Sequence, residues 1–140
     1  MKTKTVLFTL FVLFLLIGGV ECEENTPRYE IYENHEISAC GVDDPLNNLQ
    51  WLKDQTQKLG KLKGLFTILL YENNINSENY FVESYTDSKI VEYSYQSIYN
   101  CKGNKIMTKG IEAPPSDEWK KFFKENKKIA EIWSLKILLN

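Results

Sequence analysis

The chain has 140 residues, 17 Lys and Arg against 19 Asp and Glu, one His, and a formal net charge of −2. So small a charge gives no electrostatic case for nucleic acid or an anionic membrane surface as partner. The length suits one domain with one core, and no internal repeat or low-complexity tract divides it.

Residues 1–22 have the pattern of an export signal. Lys2 and Lys4 form a basic start, and Val6 to Ile17 is apolar except for Thr9. Gly18 and Gly19 then precede the acidic stretch Glu21–Glu24. The apolar run is shorter than the roughly 20 residues a membrane helix needs. The expected location is therefore outside the cytoplasm, periplasmic or extracellular, where thiols oxidise.

Three cysteines, Cys22, Cys40 and Cys101, leave an odd count to explain. Cleavage after Cys22 places Val20 and Cys22 at the small-residue positions before the cut and discards the third thiol. The remaining chain carries a net charge of −3, since Lys2, Lys4 and Glu21 go with the signal. Cys40 and Cys101 then form the expected disulfide, closing a loop of about 60 residues worth about 4 kcal/mol in the chain-entropy model. A second reading lipidates Cys22 and tethers the protein to a membrane. Against it, Glu21 stands where lipoprotein processing wants a small residue. A third cut, after Gly19, leaves Cys22 as a free thiol. A membrane enters only through such an anchor.

Residues 23–39 are polar and acidic and read as a flexible linker, with a short candidate strand at Tyr29–Tyr32. Residues 40–140 read as a single α+β domain. Asp44 before Pro45 is a helix start, because Asp accepts from free N–H groups and Pro at the first position costs nothing. Leu46, Leu49, Leu52 and Leu59 then recur at helical spacing up to the stop at Gly60, predicting one helix over Pro45–Leu59.

Leu65 to Tyr71 is a dense apolar run that suits a central strand. Tyr80–Tyr85, Ile90–Tyr99 and Lys105–Lys109 follow as strands, with Cys101-Lys102-Gly103-Asn104 as a hairpin turn. Ser116 caps a second helix whose apolar face is Trp119, Phe122 and Phe123. Trp133, Leu135 and Ile137 alternate with Ser134 and Lys136, which predicts a final strand over Ala130–Leu138. The expected architecture is α+β in the order α-β-β-β-β-α-β. It has a four-stranded antiparallel meander, a C-terminal strand, and both helices packed on one sheet face.

Two stretches carry a resemblance. Cys40-Gly41-Val42-Asp43-Asp44-Pro45-Leu46 leading into Leu49-Gln50-Trp51-Leu52-Lys53 resembles the opening of small exported, lipoprotein-like proteins of Bacteroidetes-type bacteria. The hairpin Tyr99-Asn100-Cys101-Lys102-Gly103-Asn104 is similar to a turn of the same group. The match covers about a third of the chain beyond the signal. It departs in having Gln50 where Pro is common, and in lacking extra Cys pairs. The resemblance implies an envelope location, one compact domain and the Cys40–Cys101 bond. It implies no reaction.

No residue set carries a catalytic signature. His35 is the lone histidine and lies in the linker, where catalytic geometry lacks support. Glu33, His35 and Glu36 are too few nitrogen or sulfur ligands for a zinc centre, so no metal or cofactor is expected. Asp43 and Asp44 are explained by helix capping and the dipole rather than as an acid pair. Cys40 and Cys101 lack the Cys-x-x-Cys spacing of redox pairs.

The strongest remaining feature is the series Tyr80, Tyr85, Tyr93, Tyr95 and Tyr99, with Trp51, Trp119 and Trp133. Facing the helices these residues are core; facing solvent they make a binding surface. A register slip of one residue exchanges the two outcomes. The expected function is a non-catalytic binding module of the envelope that meets another envelope protein, with inhibition of a secreted hydrolase as one version. The alternative is a small periplasmic enzyme whose carboxylates meet in a cleft.

Overall fold

The computed structural model describes residues 28–86, 94–110 and 113–138. Residues 1–22, read as an export signal and including Cys22, lie outside the described residues, as do Ile90 to Tyr93 of the predicted third strand. In chain order the elements are β1 (Arg28–Glu33), β2 (Ser38–Ala39), β3 (Val42–Asp43), α1 (Pro45–Asn48) and α2 (Gln50–Leu59). Then come β4 (Leu65–Asn73), β5 (Asn79–Thr86), β6 (Ser94–Asn100), β7 (Lys105–Gly110), α3 (Asp117–Glu125) and β8 (Asn126–Leu138).

The protein is mostly β, which overturns the expected α+β architecture. Six strands form one antiparallel sheet in the order β1-β8-β4-β5-β6-β7, and β2 and β3 form a separate small hairpin. The expected four-stranded meander is only part of this sheet. The last strand, β8, enters between β1 and β4 and pairs with both. Arg28–Glu33, inside the segment read as a linker, is a sheet strand. It contains the candidate strand at Tyr29–Tyr32, and its polar residues suit a place at the sheet edge, with only Tyr29 packed toward the core.

The helices pack on opposite faces, not on one. Phe66, Ile68, Leu70 and Phe81 meet Leu46 of α1 and Leu52 and Leu59 of α2. Val82 and Ile98 meet Trp119 and Phe122 of α3 on the other side. Covering both faces explains why β4 is an apolar run and why Phe81, Val82 and Glu83 are consecutively buried in β5.

The predicted first helix is broken. Leu49 is extended (φ −102°, ψ 103°) and separates the single turn of α1 from α2. Asp44, expected to cap it, makes no side-chain capping bond and has a left-handed backbone (φ 45°). Its carboxylate instead accepts from Asn47 Nδ2 at 2.7 Å. The α3 start does follow the sequence chemistry: Ser116 Oγ accepts from the Trp119 amide at 3.2 Å.

Strand β8 is longer than expected, because it begins directly at Asn126 where α3 ends. Its register against β4 shifts twice, between Ile68 and Leu69 and between Leu70 and Tyr71. The first shift leaves Ile132 without a partner on β4, beside Trp133, so the strict period-2 pattern fails locally. Ile132, Trp133, Ser134 and Leu135 are then all buried. Trp133→Ala is expected to cost about 3–5 kcal/mol, read from urea unfolding followed by far-UV circular dichroism.

Candidate functional site

Strand alternation divides the tyrosines. Tyr85, Tyr95 and Tyr99 lie on the α2 face with Phe81 and Glu83, whereas Tyr80 lies on the α3 face with Tyr71 and Val82. Tyr85 stands opposite Tyr95 and Phe81 opposite Tyr99 on β5 and β6. None of the three is fully buried or fully exposed. Neither pure reading of the series, core or open surface, describes them.

Each ring is held by its neighbours. Tyr85 packs on Phe66 with centroids 4.7 Å apart and on Tyr95 at 5.4 Å. Tyr99 stacks on Trp51 of α2 at 5.8 Å, and Lys105 Nζ sits 5.5 Å over its ring. Tyr80 instead meets Phe122 of α3 edge-on.

Between these rings lies Glu83, only 2 % exposed. Gln55 Nε2 of α2 donates to its carboxylate at 2.6 Å, and the Tyr95 hydroxyl donates at 3.2 Å. Among the described residues no cation pairs with it. Burial, with the charge of Glu83 and its hydrogen bond, pushes the Tyr95 hydroxyl up to about 12. Burial and the same charge push Tyr99 up as well. Next to Glu83, Ser97 is buried and shares a 3.0 Å hydrogen bond with Thr108 of β7.

Sequence reasoning missed Glu83, Gln55 and the placement of Trp51. The signal for Glu83 was present: it shares parity with Phe81 and Tyr85, and so occupies a core-facing position of a strand.

Cys40 and Cys101 are joined, with Cα atoms 5.6 Å apart. Cys40 and Gly41, both at positive φ, turn β2 into β3, while Cys101 opens the turn between β6 and β7. The bond therefore ties the segment before α1 to the far hairpin. Trp51 reinforces the tie by donating from Nε1 to the Cys101 carbonyl at 2.9 Å. Gly103 lies under its indole, where a Cβ would come 2.6 Å from Trp51 Cγ. An open groove of about 670 Å³ runs beside the disulfide, lined among others by Glu78, Asn79, Tyr80, Asn100, Lys102 and Ile106.

His35 is also placed, though exposed. Nδ1 lies 2.9 Å from Asp44 Oδ1 and Nε2 lies 3.3 Å from Glu33 Oε2. Asp43 is occupied separately by the Ser38 hydroxyl at 2.5 Å. These contacts hold the β1–β2 connection against the start of α1. Among the described residues no group of three His, Cys, Asp or Glu side chains is placed to hold a metal ion. Nor is any helix among them long and apolar enough to cross a membrane.

Glu83→Gln keeps the amide-compatible contacts but removes the charge. The Tyr95 midpoint should fall from about 12 yet stay above the ordinary 10.0, since burial is the larger cause. NMR of the tyrosine Cζ resonances during alkaline titration reads this directly.

The hydrogen bonds to Asp44 and Glu33 raise His35 above 6.5, and those from Asn47 and His35 lower Asp44 below 3.8. The folded state thus binds the His35 proton more tightly than the unfolded chain. That stabilisation is fully present below 6.5 and is lost as pH rises through the raised folded value. The Asp44 contribution is present above 3.8 and is lost as pH falls through its lowered value. His35→Ala should therefore lower stability at about pH 5 and leave it nearly unchanged at about pH 9, measured by urea unfolding at both.

No protein-family model, curated protein or solved structure matches the chain.

Proposed function

We propose that this chain is an exported, non-catalytic binding protein of the cell envelope. In this reading the tyrosine-framed part of the α2 face meets a protein partner. The signal-like segment at residues 1–22 supports the location, as does the resemblance carried by Cys40–Lys53. Whether the exported chain starts at Glu23 or at an acylated Cys22 decides between a free and a tethered protein, not between partners.

The observation that carries the binding reading is the arrangement of Tyr85, Tyr95 and Tyr99 around buried Glu83. Partly exposed tyrosines offer apolar area with a polar tip and lose little entropy on contact. Here the neighbouring rings, and for Tyr95 the Glu83 carboxylate, already hold them. A partner would meet a preorganised surface.

The test is affinity capture from the host's envelope fraction. A protein retained by the parent chain should be lost with the Tyr85→Ser/Tyr95→Ser pair, provided circular dichroism shows both folded. It should be retained by Lys120→Ala, an exposed α3 residue on the opposite side of the sheet. Equal retention by all three overturns the reading.

A further inference from the structure

The two edges of the sheet differ. At β7 the pairing is interrupted by a register shift at Ile98/Tyr99, and the strand carries Lys105 and Lys109. Bulges and lysines of this kind discourage further strand pairing. Strand β1 has no bulge and no lysine, although it carries Arg28, Glu30 and Glu33. It pairs with β8 without a break from Arg28 to Glu33, and nothing among the described residues pairs with its outer side. It also exposes Ile31 (51 %) and Tyr32 (43 %).

The direction of its hydrogen bonds follows from one contact. The Asn34 amide donates to the Ile132 carbonyl at 2.8 Å, which continues the β1–β8 register by one position. In an antiparallel ladder the bonded residues alternate. The even-numbered residues of β1 therefore aim their N–H and C=O groups at β8. Tyr29, Ile31 and Glu33 aim theirs outward.

We propose that this edge is a homodimer interface, in which β1 pairs antiparallel with β1 of a second copy about a two-fold axis at Ile31. An axis perpendicular to the sheet keeps the α2 faces on one side, so only residues of like parity pair. Centred on Ile31, every outward group finds a partner: Tyr29 with Glu33 of the second copy, Ile31 with Ile31, and Glu33 with Tyr29. Arg28 then faces Asn34 of the second copy, and Glu30 faces Tyr32.

No like charges stand opposite one another in this register. Centring on Glu30 or Glu33 sets carboxylate against carboxylate. Centring on Tyr32 drops Tyr29 from the ladder, centring on Tyr29 drops Ile31 and Glu33, and centring on Arg28 sets cation against cation. The charge pattern and the bond count thus select one closed arrangement. The interface lies at the opposite edge from β6 and β7 and is independent of the tyrosine surface.

Sedimentation equilibrium of the purified protein over a concentration series tests this. The mass should rise to a plateau at twice that of one chain. Ile31→Cys should form an interchain disulfide on oxidation, because the two residues meet at the axis. Ile31→Pro removes an outward N–H and no bond to β8, so it should give a folded monomer. Ile31→Lys, which sets two cations against each other, should weaken the dimer by at least about tenfold and serves if the proline variant does not fold. A single-chain mass throughout overturns the proposal, as does a dimer that survives both variants. A mass that climbs without plateau also overturns it, since it would mean head-to-tail pairing of β1 with β7.

Discussion

The structure depends on β8 being a central strand. It is the last of the described elements, yet it holds β1 on one side and β4 on the other. Without it, β1 has no partner and β4 becomes an edge. Its Ile132, Trp133 and Leu135 also lie in the main core, together with the α2 residues Leu52 and Leu59. The pairing of β1 with β8 spans most of the chain and that of β4 with β8 a large part of it, so both form only after the loop entropy between the partners has been overcome. The rest of the sheet is local by comparison, since β4 to β7 are joined consecutively.

A second constraint fixes the other end. The Cys40–Cys101 bond, the Trp51 hydrogen bond to Cys101 and the close approach of Gly103 to the indole all converge on one hairpin. They lock α2 over β5 and β6. That placement brings Gln55 within reach of Glu83, and it stacks Trp51 on Tyr99. The polar network inside the tyrosine frame is thus a product of the staple. A buried carboxylate with only neutral donors is costly unless those donors stay in place. The rigidity of the frame and the tolerance of Glu83 are two sides of one arrangement.

Much of the local structure was legible. The strand cores around Ile68, Val82 and Ile98, the Ser116 cap and the Gly103 turn follow from residue chemistry near each position, and the Cys40–Cys101 pair from the cysteine count once Cys22 is set aside. The long-range features were not. Arg28–Glu33 reads as a short candidate strand in a polar arm, with nothing to say that β8 is its partner. The helix over Pro45–Leu59 looks continuous because its leucine spacing survives the break at Leu49. The bulge at Ile132 breaks the very alternation that predicted the strand.

The candidate site divides in the same way. Its tyrosines were named from the sequence, but their faces were not. Parity along β5 and β6 separates Tyr80 from Tyr85, Tyr95 and Tyr99. Parity says nothing of which face α2 or α3 will cover. What the sequence by itself determined was the position of most strands, the Gly103 turn and the Ser116 cap, because these depend on neighbours within a few residues. Only the tertiary structure decided the order of the strands, the opposite placement of the helices and the burial of Glu83. Each of those depends on which distant surface covers a given side chain, and hydrophobic burial carries no address along the chain.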